Sequence, residues 1–195
     1  MKCNSFLSLL FLMLIVVNAS SRTVFLCQEL PRILHKIEIK INGRSTLGKY
    51  GCQTVLYKKD SLTLAFLEKN VLKVIIPMTS FDCGNRIMTN DFQNTVKVKT
   101  YSSSYVTISN LKPDSNGSYK CTLVFAVINK TFTHKDFILT YNKISQKASG
   151  VLNLTFSEMG LIAPSKLGGI IRVRDEITIN FDLFFVNKIT NYKAN

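Results

Sequence analysis

Short runs in which apolar and polar residues alternate dominate the chain from residue 37 onward, and each predicts a half-buried strand. Ile37-Glu-Ile-Lys-Ile41 is the first, and Asn42-Gly43, a hairpin-turn dipeptide, should close it. Residues 50–57 follow, then 62–67 and 71–76, the last stopped by Pro77. Residues 78–93 show no period and predict an irregular loop. Further strands are expected over 95–101, 105–111, 117–128 and 131–141, with Asn129-Lys130 turning between the last two. Beyond Tyr141 the pattern loosens. Residues 151–156 and 177–183 still alternate, separated by a Gly/Pro-containing segment. Helical periodicity is hard to find, so the predicted class is all-β.

One junction is more specific. Tyr105-Val-Thr-Ile-Ser-Asn-Leu111 leads into a turn rich in Pro, Asp, Asn and Gly, and Gly117-x-Tyr119-x-Cys121 opens the next strand. Spacing of two residues sends Tyr119 and Cys121 to the same face. A tyrosine in that position, its ring buried and its hydroxyl bonded back to the preceding loop, marks the corner of an immunoglobulin sandwich. Cys52 lies about seventy residues upstream, a loop whose closure would contribute on the order of 4 kcal/mol. The expected fold is therefore an immunoglobulin V-type β-sandwich over residues 24–141. A secretory signal over 1–20 precedes it, and a short β-rich C-terminal remnant over 142–195, too short for a second domain, follows it. Counting from Cys52 places Phe66 where such sandwiches bury a tryptophan. The chain has no tryptophan, and Phe66 would fill most of that volume. Phe66 and Tyr119 are the expected core anchors.

Lys2, the apolar run from Phe6 to Val17 and the small residues around Ala19 form the signal. No later segment is apolar and long enough to span a bilayer, so a secreted, extracellular chain is expected, released or held at a cell surface only by a partner. Cys3 leaves with the signal, and Cys27, Cys52, Cys83 and Cys121 allow three disulfide pairings. Spacing favours Cys52–Cys121 between the sheets, which leaves Cys27–Cys83 by elimination. A metal site is not expected, because no two of these cysteines are close in sequence and only His35 and His134 could join them. Asn116, Asn129 and Asn153 begin glycosylation sequons.

Lys and Arg number 25 against 12 Asp and Glu, a net charge of +13. Such a charge attracts acidic surfaces, and glycosaminoglycans are the candidate partner of that kind. The basic residues stand singly (Lys36, Lys40, Lys97, Lys99) rather than massed, as ordinary surface charge does. Nucleic acid is not expected for a secreted chain. No Gly-rich phosphate loop, HExxH or nucleophile elbow occurs, so no catalytic residue and no cofactor is assigned.

The span from Cys52 through Leu64-Ala-Phe-Leu-Glu-Lys-Asn70 to Gly117-Ser-Tyr-Lys-Cys121 resembles the N-terminal variable-type domain of the OX-2 (CD200) family. In style it is closest to the short OX-2-like proteins of poxviruses. Phe66 in place of tryptophan, Ser115 where the corner carries an aspartate, and Ser118 where the family has an extra cysteine depart from that pattern. The resemblance implies a recognition module that engages a CD200 receptor-like inhibitory receptor on myeloid cells, an immune-evasion activity. Its contact face would combine Lys120, Thr122 and Val124 on one strand with Lys73 and Ile75 on another. Phe132 and His134, or their neighbours, would complete it. The alternative is a cytokine- or chemokine-binding decoy retained on glycosaminoglycans.

Overall fold

The computed structural model describes residues 32–57, 71–114 and 117–187. The signal segment, Cys27, the strand expected over 62–67 with Phe66, and Ser115 and Asn116 lie outside the described residues.

Alternation does produce strands, and most of them coincide with the predicted runs. β1 (Arg32–Ser45) and β2 (Gly48–Tyr57) form a hairpin. β3 (Leu72–Pro77), β4 (Ser103–Pro113), β5 (Ser118–Val127) and β6 (Lys130–Asn142) follow as an antiparallel meander. β7 (Lys147–Thr155), the two-residue β8 (Ser165–Lys166) and the long β9 (Ile171–Asn187) complete the set. Among the described residues the protein is all-β apart from single-turn 3-10 segments and one helix, α1 (Arg86–Thr95).

These strands do not divide into two facing sheets, which corrects the expected immunoglobulin sandwich. They form one curled antiparallel sheet in the order β2-β1-β9-β7-β6-β5-β4-β3, with β8 on β9. Its two edges meet just beyond β3. There Gln53 and Asp82 exchange backbone hydrogen bonds of 2.8 Å in both directions, and the hydroxyls of Thr54 and Ser80 lie 2.7 Å apart. Beside that bridge Cys52 is joined to Cys83. The pairing Cys52–Cys121, and with it Cys27–Cys83, is therefore corrected. Cys121 is a buried free thiol on β5, far from β2 in the sheet order, and its Sγ donates to the carbonyl of Phe137 at 3.5 Å. Cysteine spacing sets a loop length but not which strands end up adjacent.

The segment after Tyr141 is no peripheral remnant. β9 pairs with β1 along one side and with β7 along the other, so it lies near the middle of the sheet. Asn42-Gly43 is not a turn either. Both residues pair across to β2, and the hairpin closes at Thr46-Leu47. The ring of Tyr50 lies over Gly43, at a spot where a Cβ would collide with it. A glycine inside a strand thus marks a close approach rather than a chain reversal.

Residues 86–95 form a helix where a loop had been expected, and the strand predicted over 95–101 is the end of that helix and a turn after it. Asn85 caps it, its Oδ1 accepting from the Met88 amide at 2.9 Å. Met88, Phe92 and Val96, spaced by four, pack toward the core. This cap and spacing were the missed signal.

Candidate functional site: an apolar interior

Inward residues follow from the period of two. β1 contributes Ile37, Ile39 and Ile41, β9 contributes Ile179, Phe181 and Leu183, and β7 contributes Leu152. Facing them are Val74 and Ile76 of β3, Ser104, Val106 and Ile108 of β4, and Leu123 and Phe125 of β5, with Met78 and Phe81 closing one end. Between these side chains lies a cavity of about 70 Å³. Ser104 is its one polar residue, 2% exposed, and its Oγ lies 3.1 Å from the Met78 sulfur. Wall and cavity are therefore nearly free of groups that water could bond.

Between neighbouring long strands of the sheet the β6–β7 ladder is the shortest. Only Thr140, Tyr141 and Asn142 pair with β7, and the strands then part. The stacked rings of Phe137 and Phe181, 5.7 Å apart, cover Gly150 beside that gap. His134 points into the same region with its Nε2 buried and without a hydrogen-bond partner. At the other end of the sheet the Tyr50 hydroxyl is likewise buried and unpartnered. Loss of water pushes its pKa up to about 12, and burial pushes the Cys121 thiol up to about 11.

The residues expected to bind a receptor do not share one face. Lys73, Ile75, Lys120, Thr122 and Val124 lie on the outer wall of β3 and β5. Phe132 and His134 turn inward, Phe132 stacking on Phe125 at 6.3 Å and His134 standing opposite Leu123. Their neighbours Thr131 and Thr133 take the outer positions. Lys120 is paired with Asp114 at 3.3 Å. Tyr119 is half-buried against Tyr141 rather than at the base of a sandwich. Asn129 is exposed at the β5–β6 turn, and Asn153 is exposed on β7, where it accepts from Thr178. Among the described residues no group of His, Cys, Asp and Glu is placed to hold a metal ion, and no helix is long and apolar enough to cross a membrane.

No protein-family model matches the chain, and no curated protein does. Solved structures do. BcnA of Burkholderia cenocepacia superposes with a TM-score of 0.54 at 16% identity, over 77% of this chain and 96% of that one. A polyisoprenoid-binding domain from Saccharophagus degradans, implicated in plant cell wall breakdown, does so with a TM-score of 0.54 at 10% identity, over 82% and 99%. The chain shares their fold. Both of those chains are covered almost end to end. The likeness overturns the expectation of an immunoglobulin-type receptor ligand. The flat contact face and the inhibitory-receptor partner presupposed a sandwich of two sheets, and the glycan-retained decoy, read from net charge, finds no counterpart in these neighbours. A curled sheet instead turns one face into an enclosed wall and divides the named residues between inside and outside.

Proposed function

We propose that the protein binds one long apolar molecule, of isoprenoid or acyl type, inside the curled sheet. The observation that carries this reading is the continuous apolar lining contributed by β1, β3, β4, β5, β7 and β9, interrupted only by Ser104. The Saccharophagus domain with the same fold, described as binding polyisoprenoids, supports the same ligand class. A cavity of about 70 Å³ is smaller than the roughly 150 Å³ that admits benzene in an engineered core. Binding thus requires the wall to part, and few backbone hydrogen bonds oppose that at the short β6–β7 ladder or at the single Gln53–Asp82 bridge that closes the sheet. Ser104 is placed to receive the polar end or an internal oxygen of the ligand. The activity is binding, with no bond made or broken. It takes place outside the cytoplasm, in keeping with the signal-like residues 1–20 and the Cys52–Cys83 disulfide.

The test is organic extraction of purified protein followed by mass spectrometry, together with titration of a fluorescent fatty acid. A long-chain species in the extract, and saturable probe binding lost in Val106→Trp, are expected. Equal binding by wild type and by the filled variant would refute an interior site.

A further inference from the structure

Among the described residues one end of the sheet stands apart. There the β1–β2 turn, α1, the 156–164 loop and β8 come together. Thr46 bonds the carbonyls of Ile170 (2.9 Å) and Arg172 (3.0 Å), and Lys166 of β8 reaches Asp91 of α1 at 2.8 Å. Among the described residues six large aliphatic side chains are 70% or more exposed. Five of them, Leu47, Ile87, Ile162, Leu167 and Ile170, belong to these segments, and the sixth, Ile144, lies on the β6–β7 turn at the opposite end. Scattered exposed aliphatics need no explanation, but a concentration of this kind does. Leu47, Ile87 and Leu167 line an open groove of about 640 Å³.

Lys49 and Lys166 line the groove, and Arg86 and Arg172 are the chain neighbours of its lining residues Ile87, Ile171 and Val173. The acids nearby are largely engaged, Asp91 by Lys166, Asp175 by Ser157 and Glu158 by Thr155. Apolar tips inside a cationic border match the boundary between acyl chains and anionic headgroups. The groove is also next to the interior. Phe92 lines the groove, Phe81 lines the cavity, and their ring centroids are 5.1 Å apart, so this pair is the partition between the two.

We infer that this end docks on an anionic bilayer and that the groove is the mouth through which a lipid passes the Phe81–Phe92 partition. The inference rests on the proposed function for its cargo, though not for the docking itself. It is tested by sedimentation with phosphatidylcholine vesicles prepared with and without phosphatidylserine, beside uptake of a fluorescent fatty acid offered as a monomer. Wild type should sediment with the phosphatidylserine vesicles only, and less so as salt is raised. Ile87→Glu and Leu167→Glu should each weaken that association about tenfold. Ile144→Glu should not, and it should take up the monomeric probe as wild type does; the two groove variants should melt with the wild type, as exposed substitutions do. Failure of the wild type to sediment while it still binds probe overturns docking and leaves the interior site standing. An equal loss in Ile144→Glu overturns it too, as does a dimer formed without vesicles and broken by Leu167→Glu. Wild type that sediments as expected but never takes up probe upholds docking and refutes the interior site instead.

Discussion

Truncating Leu123 to alanine separates a ligand-binding interior from a merely imperfect core. Leu123 is 1% exposed, sits at the centre of β5 and lines the cavity. Removing its three terminal carbons forfeits roughly 2 kcal/mol of transfer free energy. The walls around it already fail to close a void of about 70 Å³, so they should not collapse into the new space. If the freed volume is comparable to that void, about 24 cal/mol per Å³ adds some 1.7 kcal/mol. The unliganded variant should thus lose about 4 kcal/mol, which for a domain of this size lowers Tm by about 8–16 °C. The same space should admit a bulkier ligand. At a ligand concentration near a hundred times its Kd, about 2.7 kcal/mol returns. Differential scanning fluorimetry with and without a long-chain fatty acid reads both effects. A variant that melts early and recovers nothing from ligand, while wild type is stabilised, would refute the assignment of this cavity as the site.

Other measurements probe the architecture. Non-reducing peptide mapping should recover Cys52 linked to Cys83, and Cys52→Ala should cost about 3–4 kcal/mol for a loop spanning 31 residues; a Cys52–Cys121 peptide would contradict the sheet order. Cys121 should resist alkylation until the chain unfolds, because it is buried and its thiol stays protonated. Its thiol pKa is raised from 9.0 to about 11 in the fold, so the unfolded chain loses the proton first. Stability should be full below about pH 9 and decline as pH climbs toward 11. Denaturant titrations of Cys121→Ala should show a shallower decline, the remainder belonging to Tyr50, raised from 10.0 to about 12. Gly150→Ala should cost about 1–3 kcal/mol by overpacking, since its Cβ would strike Phe181 and come within 2.9 Å of Phe137; an unchanged melting temperature would mean the stacked pair yields freely.

Alternation along the chain was enough to place most strands and to set their facing, because the period of two is a local property of the extended backbone. Leu123 and Phe125 could be assigned inward beside Cys121 on those grounds alone. The helix at Arg86–Thr95 is also legible, in Asn85 and the four-residue spacing of Met88, Phe92 and Val96. What no local pattern carries is which strand lies beside which. β9 inserts between β1 and β7, pairing Ile39 with Phe181 across some 140 residues of chain. A run that reads as a weak tail thereby becomes central wall, and Leu152, Ile179 and Phe181 become part of the site. The disulfide depended on the same decision: Cys52 could bond only what the closing sheet brought beside it, and closure at Gln53 and Asp82 brought Cys83. The corner pattern around Tyr119 predicted a strand pair, which exists, and an opposing second sheet, which does not. Hydrophobic patterning says which side of a strand avoids water. Whether that side meets a second sheet or the inner wall of the same one depends on the curl and on long-range pairing, and only the tertiary structure decided it.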